Sequence, residues 1–111
     1  MTALARKACV PCRGGVAPLA GLALAALQEQ LPSWTVIKSH HLTKSFLFPD
    51  FKEALAFGDR AGAIAEAEGH HPDLWLSWGK VDATIYTHSI DGLTESDFVL
   101  AAKIDEVVLR S

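Results

Sequence analysis

Residues 66–97 read EAEGHHPDLWLSWGKVDATIYTHSIDGLTESD, and this stretch decides the fold. Gly69 is expected to end a helix that arrives from the N-terminal side. Segments 74–78 and 80–87 are rich in strand-forming residues and are separated by a glycine, so they predict two strands joined by a tight turn. Thr94 and the acidic residues after it predict the capped start of another helix. The stretch therefore predicts a β-hairpin between two helices.

The same types of signal recur on the N-terminal side of this stretch. Residues 34–38 and 42–48 favour strands and predict a second hairpin. Asp50 followed by Glu53 has the spacing of a capping box, which predicts a long helix that continues to Glu68. Because hairpins rather than helical crossovers join most of the strands, the sheet should be largely antiparallel.

Apolar residues recur at helical spacing in two further segments, and each predicts a helix with a buried face. In the first, which runs from residue 19 to residue 31, they are Leu19, Leu22, Ala23, Ala26, Leu27 and Leu31. In the last, they are Phe98, Ala101, Ala102, Ile104, Val107 and Val108. The predicted order is helix, strand, strand, helix, strand, strand, helix. This is an α+β fold, with a four-stranded largely antiparallel sheet and three helices on one of its faces.

Two features predict that the chain assembles with copies of itself. Short strands leave free sheet edges, which pair with another chain unless charges or a covering element protect them. Gly58 and Gly62 lie four residues apart on a face of the second helix, so a neighbouring sheet or subunit should approach that face closely. The same face is predicted to carry Ala54, Ala61 and Ala65. We therefore expect a homo-oligomer.

The composition fits one folded domain and argues against nucleic-acid and membrane partners. Of the 111 residues, 50% are hydrophobic and 21% are charged, which is ordinary for a globular module. A net charge of -3 provides no broad positive field for direct binding to DNA or RNA. The longest low-charge stretch, residues 14–27, is shorter than the about 20 apolar residues of a membrane-spanning helix. It is expected to form a buried helix instead.

Residues 1–18 are predicted to be an irregular N-terminal arm, and residues 19–111 the domain. The continuous apolar region of a signal peptide would be interrupted by Cys9, Pro11, Arg13 and Gly14, so a cytoplasmic protein is expected. Cys9 and Cys12 form a lone Cys-x-x-Cys, which fits a redox pair, half of a zinc site or two plain thiols. Because Arg13 and two glycines follow in place of a helix start, plain thiols are the favoured interpretation.

Histidine is the most informative residue type, and the chain contains five. His40 and His41 lie between two predicted strands in a polar setting, where a solvated turn is the favoured interpretation. His70 and His71 precede Pro72, which biases the residue before it towards an extended conformation. Both imidazoles are therefore expected on a short, stiff loop after a helix, which is a common location for a functional site.

Metal binding and metal-free acid–base catalysis are the two chemistries that these imidazoles suggest. Zinc takes three or four protein ligands at recognisable spacings, which this sequence lacks. Adjacent residues on an extended chain also point to opposite sides, so His70 and His71 do not easily share one ion. Histidine titrates near neutral pH, and His88 adds a third imidazole that could protonate a leaving hydroxide or accept a proton. Catalysis without a metal is therefore favoured.

The spacing of these residues resembles the signature of the pterin-4a-carbinolamine dehydratases. In that family, three residues separate an acidic residue from His-His-Pro, and an aromatic residue, a histidine and an aspartate follow. The positions in register are Glu66, His70, His71, Pro72, Trp78, His88 and Asp97. A weaker resemblance extends from residue 19 to the C-terminus, and only the cysteine arm lies outside it.

The resemblance implies a saddle-like α+β fold that forms a homodimer or homotetramer and needs no cofactor. Enzymes of this family convert 4a-hydroxytetrahydropterin into quinonoid dihydropterin and water, which recycles the pterin of aromatic amino acid hydroxylases. By position, His70 and His88 would be the general acid and base, and His71 would bind and polarise the pterin. Glu66 and Asp97 would orient the imidazoles or the substrate.

Several of these assignments have a structural alternative. Glu66 also fits a solvated helix carboxylate, and Asp97 also fits the third residue of a capping box. Trp75 and Trp78 should face opposite ways, with one against the pterin and the other in the core. An aromatic residue often follows His-Pro-Asp in the family, whereas Leu74 stands there in this chain. The residue that stacks on the pterin is therefore left open.

Two other functions fit the same residues. One is a non-catalytic pterin-binding, dimerisation or regulatory module, because some relatives are dimerisation partners of a homeodomain transcription factor in animals. The other is action on a different pterin, such as a molybdopterin intermediate. Turnover of 4a-hydroxytetrahydropterin distinguishes both from the dehydratase.

Overall fold

Three helices pack on one face of a four-stranded antiparallel sheet, as predicted. A computed structural model describes residues 3–9 and 17–109 of the chain. The helices are α1 (Gly21–Glu29), α2 (Phe51–Glu68) and α3 (Glu95–Leu109). The strands are β1 (Thr35–Ile37), β2 (His41–Leu47), β3 (Asp73–Ser77) and β4 (Lys80–Ile85). The predicted fold class and element order are thereby confirmed.

The sheet has the strand order β1-β2-β4-β3, and each neighbouring pair is antiparallel. Because successive side chains alternate between the two faces of a strand, the register decides what each face carries. Phe46 pairs with Val81, and both are buried against the helices. Ser45 pairs with Asp82 on the opposite face, which no helix of the described residues covers. The short strand β1 and the strand β3 form the two edges.

The C-terminal helix α3 is the centre of the core. Most of the apolar positions predicted for its buried face are confirmed, and Val108, which is partly exposed, is the exception. A short 3-10 turn, Leu4–Arg6, covers a further side of this helix. Leu4 is buried, and the Lys103 ammonium donates a hydrogen bond to the carbonyl of Ala5 at 2.8 Å. The boundary between arm and domain at residue 18 stays a prediction.

Helix α1 differs from the prediction in both its length and its face. The Leu19 N–H donates to the carbonyl of Leu93 at 2.8 Å, which holds Leu19 outside the helix. Leu22 is 90% exposed, whereas Leu24 is buried. Half of the predicted apolar face is exposed, namely Leu22, Ala23 and Ala26, whereas Leu19 and Leu27 pack against the core and Leu31 is buried. The predicted face is therefore confirmed only in part. Of the stretch 14–27 that was predicted to be a buried helix, residues 14–16 lie outside the described residues and residues 17–20 precede α1. Within the described residues, no helix has the length and apolarity needed to cross a membrane.

Helix α2 presents two different faces. The Asp50 carboxylate caps its N-terminus by accepting a hydrogen bond from the Glu53 N–H at 2.8 Å. Its inner face buries Ala54, Phe57, Ala61 and Ala65. A Cβ atom added at Gly58 or Gly62 would meet no other atom within 4 Å. The predicted close approach of the chain's own sheet to these glycines is therefore wrong, and their face is left open.

The C-terminus of α2 sets the path of the chain into the His-His-Pro segment. Gly69 has a left-handed φ of 64°, and its N–H donates to the carbonyl of Glu66. The next N–H, that of His70, donates to the carbonyl of Ala65 at 3.2 Å. This is the Schellman arrangement, which satisfies the last carbonyls of a helix. Since an added Cβ would meet nothing within 4 Å, the positive φ alone requires a glycine here.

Substituting Gly69→Ala should lower the free energy of unfolding by about 1 to 2 kcal/mol, because a Cβ disfavours the left-handed conformation. Gly69→Asn is the matched control, since asparagine tolerates this conformation better and should lose less. Urea denaturation measures both values. Equal losses in the two variants would show that the backbone conformation is not the cause.

Candidate functional site

The centre of the candidate site is the carboxylate of Asp97, which is fully buried in the first turn of α3. Its Oδ1 atom lies 2.5 Å from Nε2 of His70. Its Oδ2 atom accepts hydrogen bonds from the Thr87 hydroxyl and from the Thr94 N–H, both at 2.8 Å. A buried carboxylate needs such donors to offset the loss of water. One acid thus joins the end of α2, the segment after β4 and the start of α3.

Asp97 combines the two roles that its position in the sequence suggests. The bond from the Thr94 N–H is the reciprocal half of a capping box, in which a side chain of the first turn reaches back to the cap residue. The bond to His70 uses the other carboxylate oxygen. The cap and the orientation of an imidazole are therefore compatible in the same side chain.

His70 and His71 point in opposite directions, as expected for neighbours on an extended chain. The His70 side chain is 14% exposed and faces the buried carboxylate, whereas that of His71 is 58% exposed. Nε2 of His71 lies 2.6 Å from Oε1 of Glu66, one turn before the end of α2. Because this second pair is exposed to solvent, it contributes little to stability. It does, however, fix the direction of the ring.

His88 is joined to this centre through Thr87. The Thr87 N–H donates to the carbonyl of Gly92 at 2.8 Å, and its own carbonyl accepts from the Asp91 N–H at 2.9 Å, so the loop closes on itself. The exposed ring of His88 packs edge-on against Tyr86, with 4.2 Å between the ring centroids. Thr87 therefore connects the His88 loop to Asp97, and Asp97 is bonded to His70.

The prediction that either Trp75 or Trp78 fills the core is wrong. Trp75 is 74% exposed and Trp78 is 69% exposed. Trp75 lies on the open face of the sheet opposite Asp82, while Leu74 takes the inward position and packs against the core. Trp78 follows β3 in the turn, where the alternation of a strand no longer applies. Pro72 is partly buried just before β3 begins.

Comparison with known proteins decides the family. Residues 18–107 match the sequence model described as Pterin 4 alpha carbinolamine dehydratase. The chain belongs to this family. A Rubrobacter xylanophilus protein named as a putative pterin-4-alpha-carbinolamine dehydratase is 55% identical over 107 residues, which are 96% of this chain and 100% of the relative. The predicted family and its enzyme class, a dehydratase and therefore a lyase, are confirmed.

Two solved structures share the dehydratase fold. The crystal structure of a transcriptional coactivator/pterin dehydratase from Brucella melitensis has a TM-score of 0.76 and 32% identity, and the match covers 81% of this chain and 97% of that one. A pterin dehydratase-like protein identified as a RuBisCO assembly factor in the alpha-carboxysome has a TM-score of 0.59 and 26% identity. That match covers 68% of this chain and 88% of the other.

Sequence reasoning missed several residues around the dehydratase motif. Thr87 and Thr94 donate to Asp97, yet neither stands out in the sequence except by its place beside His88 or at a helix start. His40 lies in the turn before β2, as predicted, but its ring has partners within the protein that the sequence did not indicate. The Nε2 atom of His40 lies 2.7 Å from Oδ1 of Asp91, and its ring centroid lies 4.7 Å from that of Tyr86.

Cys9 is held in place and has the properties of an unreactive thiol. Its N–H donates to Oε1 of Glu68 at 2.8 Å, and its Sγ lies 3.5 Å from the carbonyl of Ser96. Burial, reinforced by the charge of Glu68, raises the pKa of the Cys9 thiol to about 12. Cys12 lies outside the described residues. Within the described residues, no three His, Cys, Asp or Glu side chains are grouped so that they could hold a metal ion.

In a Cys12→Ser variant, iodoacetamide should modify Cys9 at least about tenfold more slowly in the folded protein than in guanidinium chloride, because the thiolate is the nucleophile. The raised pKa also makes the free energy of unfolding depend on pH. The buried thiol stabilises the folded state fully below the ordinary thiol pKa, and this stabilisation is lost as the pH rises towards 12. Mass spectrometry follows the labelling. Equal rates in the two states would contradict the protected thiol.

Proposed function

We propose that this chain removes water from a 4a-hydroxytetrahydropterin by acid–base catalysis between histidines, without a cofactor. In this reaction the C4a–O bond breaks and the hydroxide takes up a proton to leave as water. The lone pair of N5 forms the C4a–N5 double bond, and the N5 proton passes to a base. The product is a quinonoid dihydropterin, which returns to the pterin cycle of aromatic amino acid hydroxylases.

The observation that carries this proposal is a chain of two hydrogen bonds, from His70 to the Asp97 carboxylate and from there to Thr87. Thr87 is the residue before His88. A carboxylate bound to one ring nitrogen holds an imidazole in one tautomer and one orientation. With Nε2 of His70 on Asp97, its Nδ1 is left for the substrate. His88 stands in a different, exposed setting. Two imidazoles in unlike environments suit the two proton transfers of a dehydration.

The remaining motif residues would bind and position the pterin. His71, oriented by Glu66, would polarise the ring system from the solvent side of the segment. Trp75 and Trp78 are both exposed and so accessible to a flat heterocycle, which stacks well on an indole. Pro72 would keep the two adjacent histidines on a rigid path.

His70→Ala and His88→Ala should each lower kcat by about a hundredfold to ten-thousandfold, the usual contribution of a positioned acid or base. Stopped-flow absorbance of 4a-hydroxytetrahydropterin dehydration measures the rate, and circular dichroism checks the fold. Asp59→Asn, an exposed carboxylate on α2, is the control and should retain the wild-type rate. A folded variant of either histidine with full activity would rule out its role, and activity lost on adding a chelator would rule out metal-free catalysis.

A second candidate function is a non-catalytic role in assembly or regulation. Its support comes from the two solved structures, since one protein is described as a transcriptional coactivator and the other as a RuBisCO assembly factor. Folded protein that does not turn over 4a-hydroxytetrahydropterin would favour this role. Turnover of another pterin only, such as a molybdopterin intermediate, would instead keep the catalytic site and change its substrate.

A homodimer or homotetramer is also part of the proposal. Phe51 and Leu55 are partly exposed on α2, and Gly58 and Gly62 continue the same stripe at spacings of three and four residues. Apolar side chains beside glycines allow a second helix to approach closely. We expect this outer face of α2 to contact a second copy of the chain.

Leu55→Glu should therefore raise the dissociation constant of the oligomer by at least about tenfold, as expected for a charge at the centre of an apolar contact. Light scattering after size exclusion should then move towards the monomer mass of 11.9 kDa. Leu22→Glu, at the exposed position on α1, is the matched control and should leave the oligomer intact. Dissociation in both variants, or in neither, would place the contact elsewhere.

A further inference from the structure

A fourth histidine, His40, lies against the loop that carries His88. It is the last residue of the turn between β1 and β2 and is 51 residues away from Asp91 in the chain. We propose that His40 is a positioning residue for His88, acting through Asp91 and Tyr86. The inference rests on the proposed function, since it assigns a supporting role at the same site.

The first route from His40 to His88 is the backbone of the loop. Oδ1 of Asp91 lies 2.7 Å from Nε2 of His40. The Asp91 N–H in turn donates to the carbonyls of Thr87 and His88, at 2.9 and 3.2 Å. The Asp91 side chain otherwise faces solvent. Its bond to His40 therefore ties the tip of the His88 loop to the opposite hairpin turn.

The second route is a stack of rings. The centroid of His40 lies 4.7 Å from that of Tyr86, with 39° between the ring planes. Tyr86 in turn meets His88 edge-on at 4.2 Å and 89°. Such contacts favour particular ring orientations. The exposed ring of His88 therefore contacts Tyr86, and Tyr86 contacts both the core and the ring of His40.

The backbone on both sides of the contact adopts a conformation that is costly for residues with a side chain. Lys38, Ser39 and Asp91 have φ values of 52°, 55° and 55°. They are the non-glycine residues with positive φ among residues 3–9 and 17–109. Lys38 and Ser39 directly precede His40 in the chain, and Asp91 is its bonding partner. Strain of this kind persists where surrounding contacts over-determine the conformation, and it concentrates at functional sites.

His41 fixes the other end of the His40 ring. The Nδ1 atoms of the two imidazoles lie 3.1 Å apart, so one must donate and the other accept. Burial, followed by electrostatic repulsion from His40 and Lys38, lowers the pKa of His41. With partners at Nδ1 and Nε2, the His40 ring is held in its plane against Tyr86.

The expected consequence is a change in turnover with little change in binding. Because His40 would not touch the substrate, His40→Ala should leave KM within about twofold of the wild type. It should lower kcat by about tenfold, which is less than the roughly hundredfold loss expected when a catalytic group is displaced by about 1 Å. The His40→Gln variant keeps an N–H donor close to the position of Nε2. It should retain kcat within about threefold of the wild type.

A double-mutant cycle with stopped-flow kinetics tests this inference. His40→Ala should lower kcat in the wild-type background and have no effect in His88→Ala, because it acts through His88. Asp91→Asn, which tolerates the positive φ, should lower kcat as well, whereas the matched loss of charge in Asp59→Asn should not. In NMR spectra, the ring resonances of His88 should shift in His40→Ala and stay in place in Asp59→Asn.

The inference would be overturned if His40→Ala lowered kcat equally in the wild-type and His88→Ala backgrounds. It would also be overturned if His40→Ala kept full activity and left the His88 ring resonances in place. If His40→Ala does not fold, Asp91→Asn takes its place in the cycle, and His40→Gln remains the variant expected to retain activity. If the wild-type protein does not dehydrate the pterin, it is the proposed function that fails. The His88 resonances then decide the positioning by themselves, since they report the coupling without turnover.

Discussion

The burial of the Asp97 carboxylate is the constraint on which the rest of the site depends. A charge without water is very costly unless hydrogen-bond donors surround it. Here the donors come from three separate elements, as His70, Thr87 and Thr94 all reach the same side chain. The end of α2, the segment after β4 and the start of α3 must therefore meet at one point. Core packing and site geometry are determined by the same group.

This arrangement explains why so small a chain can hold several imidazoles in different environments. His70 faces the buried acid, and its neighbour His71 faces solvent, because an extended segment alternates its side chains. Gly69 makes that segment start abruptly after α2. His88 sits on a loop that a threonine anchors to the same acid. Proton donors and acceptors with distinct surroundings are what an acid–base reaction at neutral pH requires.

The helices cover one face of the sheet and leave the other available. The open face carries Trp75 and the bonded pair of Ser45 and Asp82, where the hydroxyl of the serine lowers the pKa of the carboxyl. Within the described residues, two edge strands and the outer side of α2 are uncovered as well. The outer side of α2 and the sheet edges are therefore available for assembly, and the exposed indole of Trp75 is available to a ligand.

The sequence by itself determined the seven elements and their order, because caps, turns and periodicity act over a few residues. The spacing of the motif likewise singled out His70, His71 and His88. Only the tertiary structure decided which face of α1 is buried and that both tryptophans are exposed, because these depend on what covers each surface. The contacts that Thr87 and His40 make were decided there too. They join residues that lie apart in the chain, and no local pattern records them.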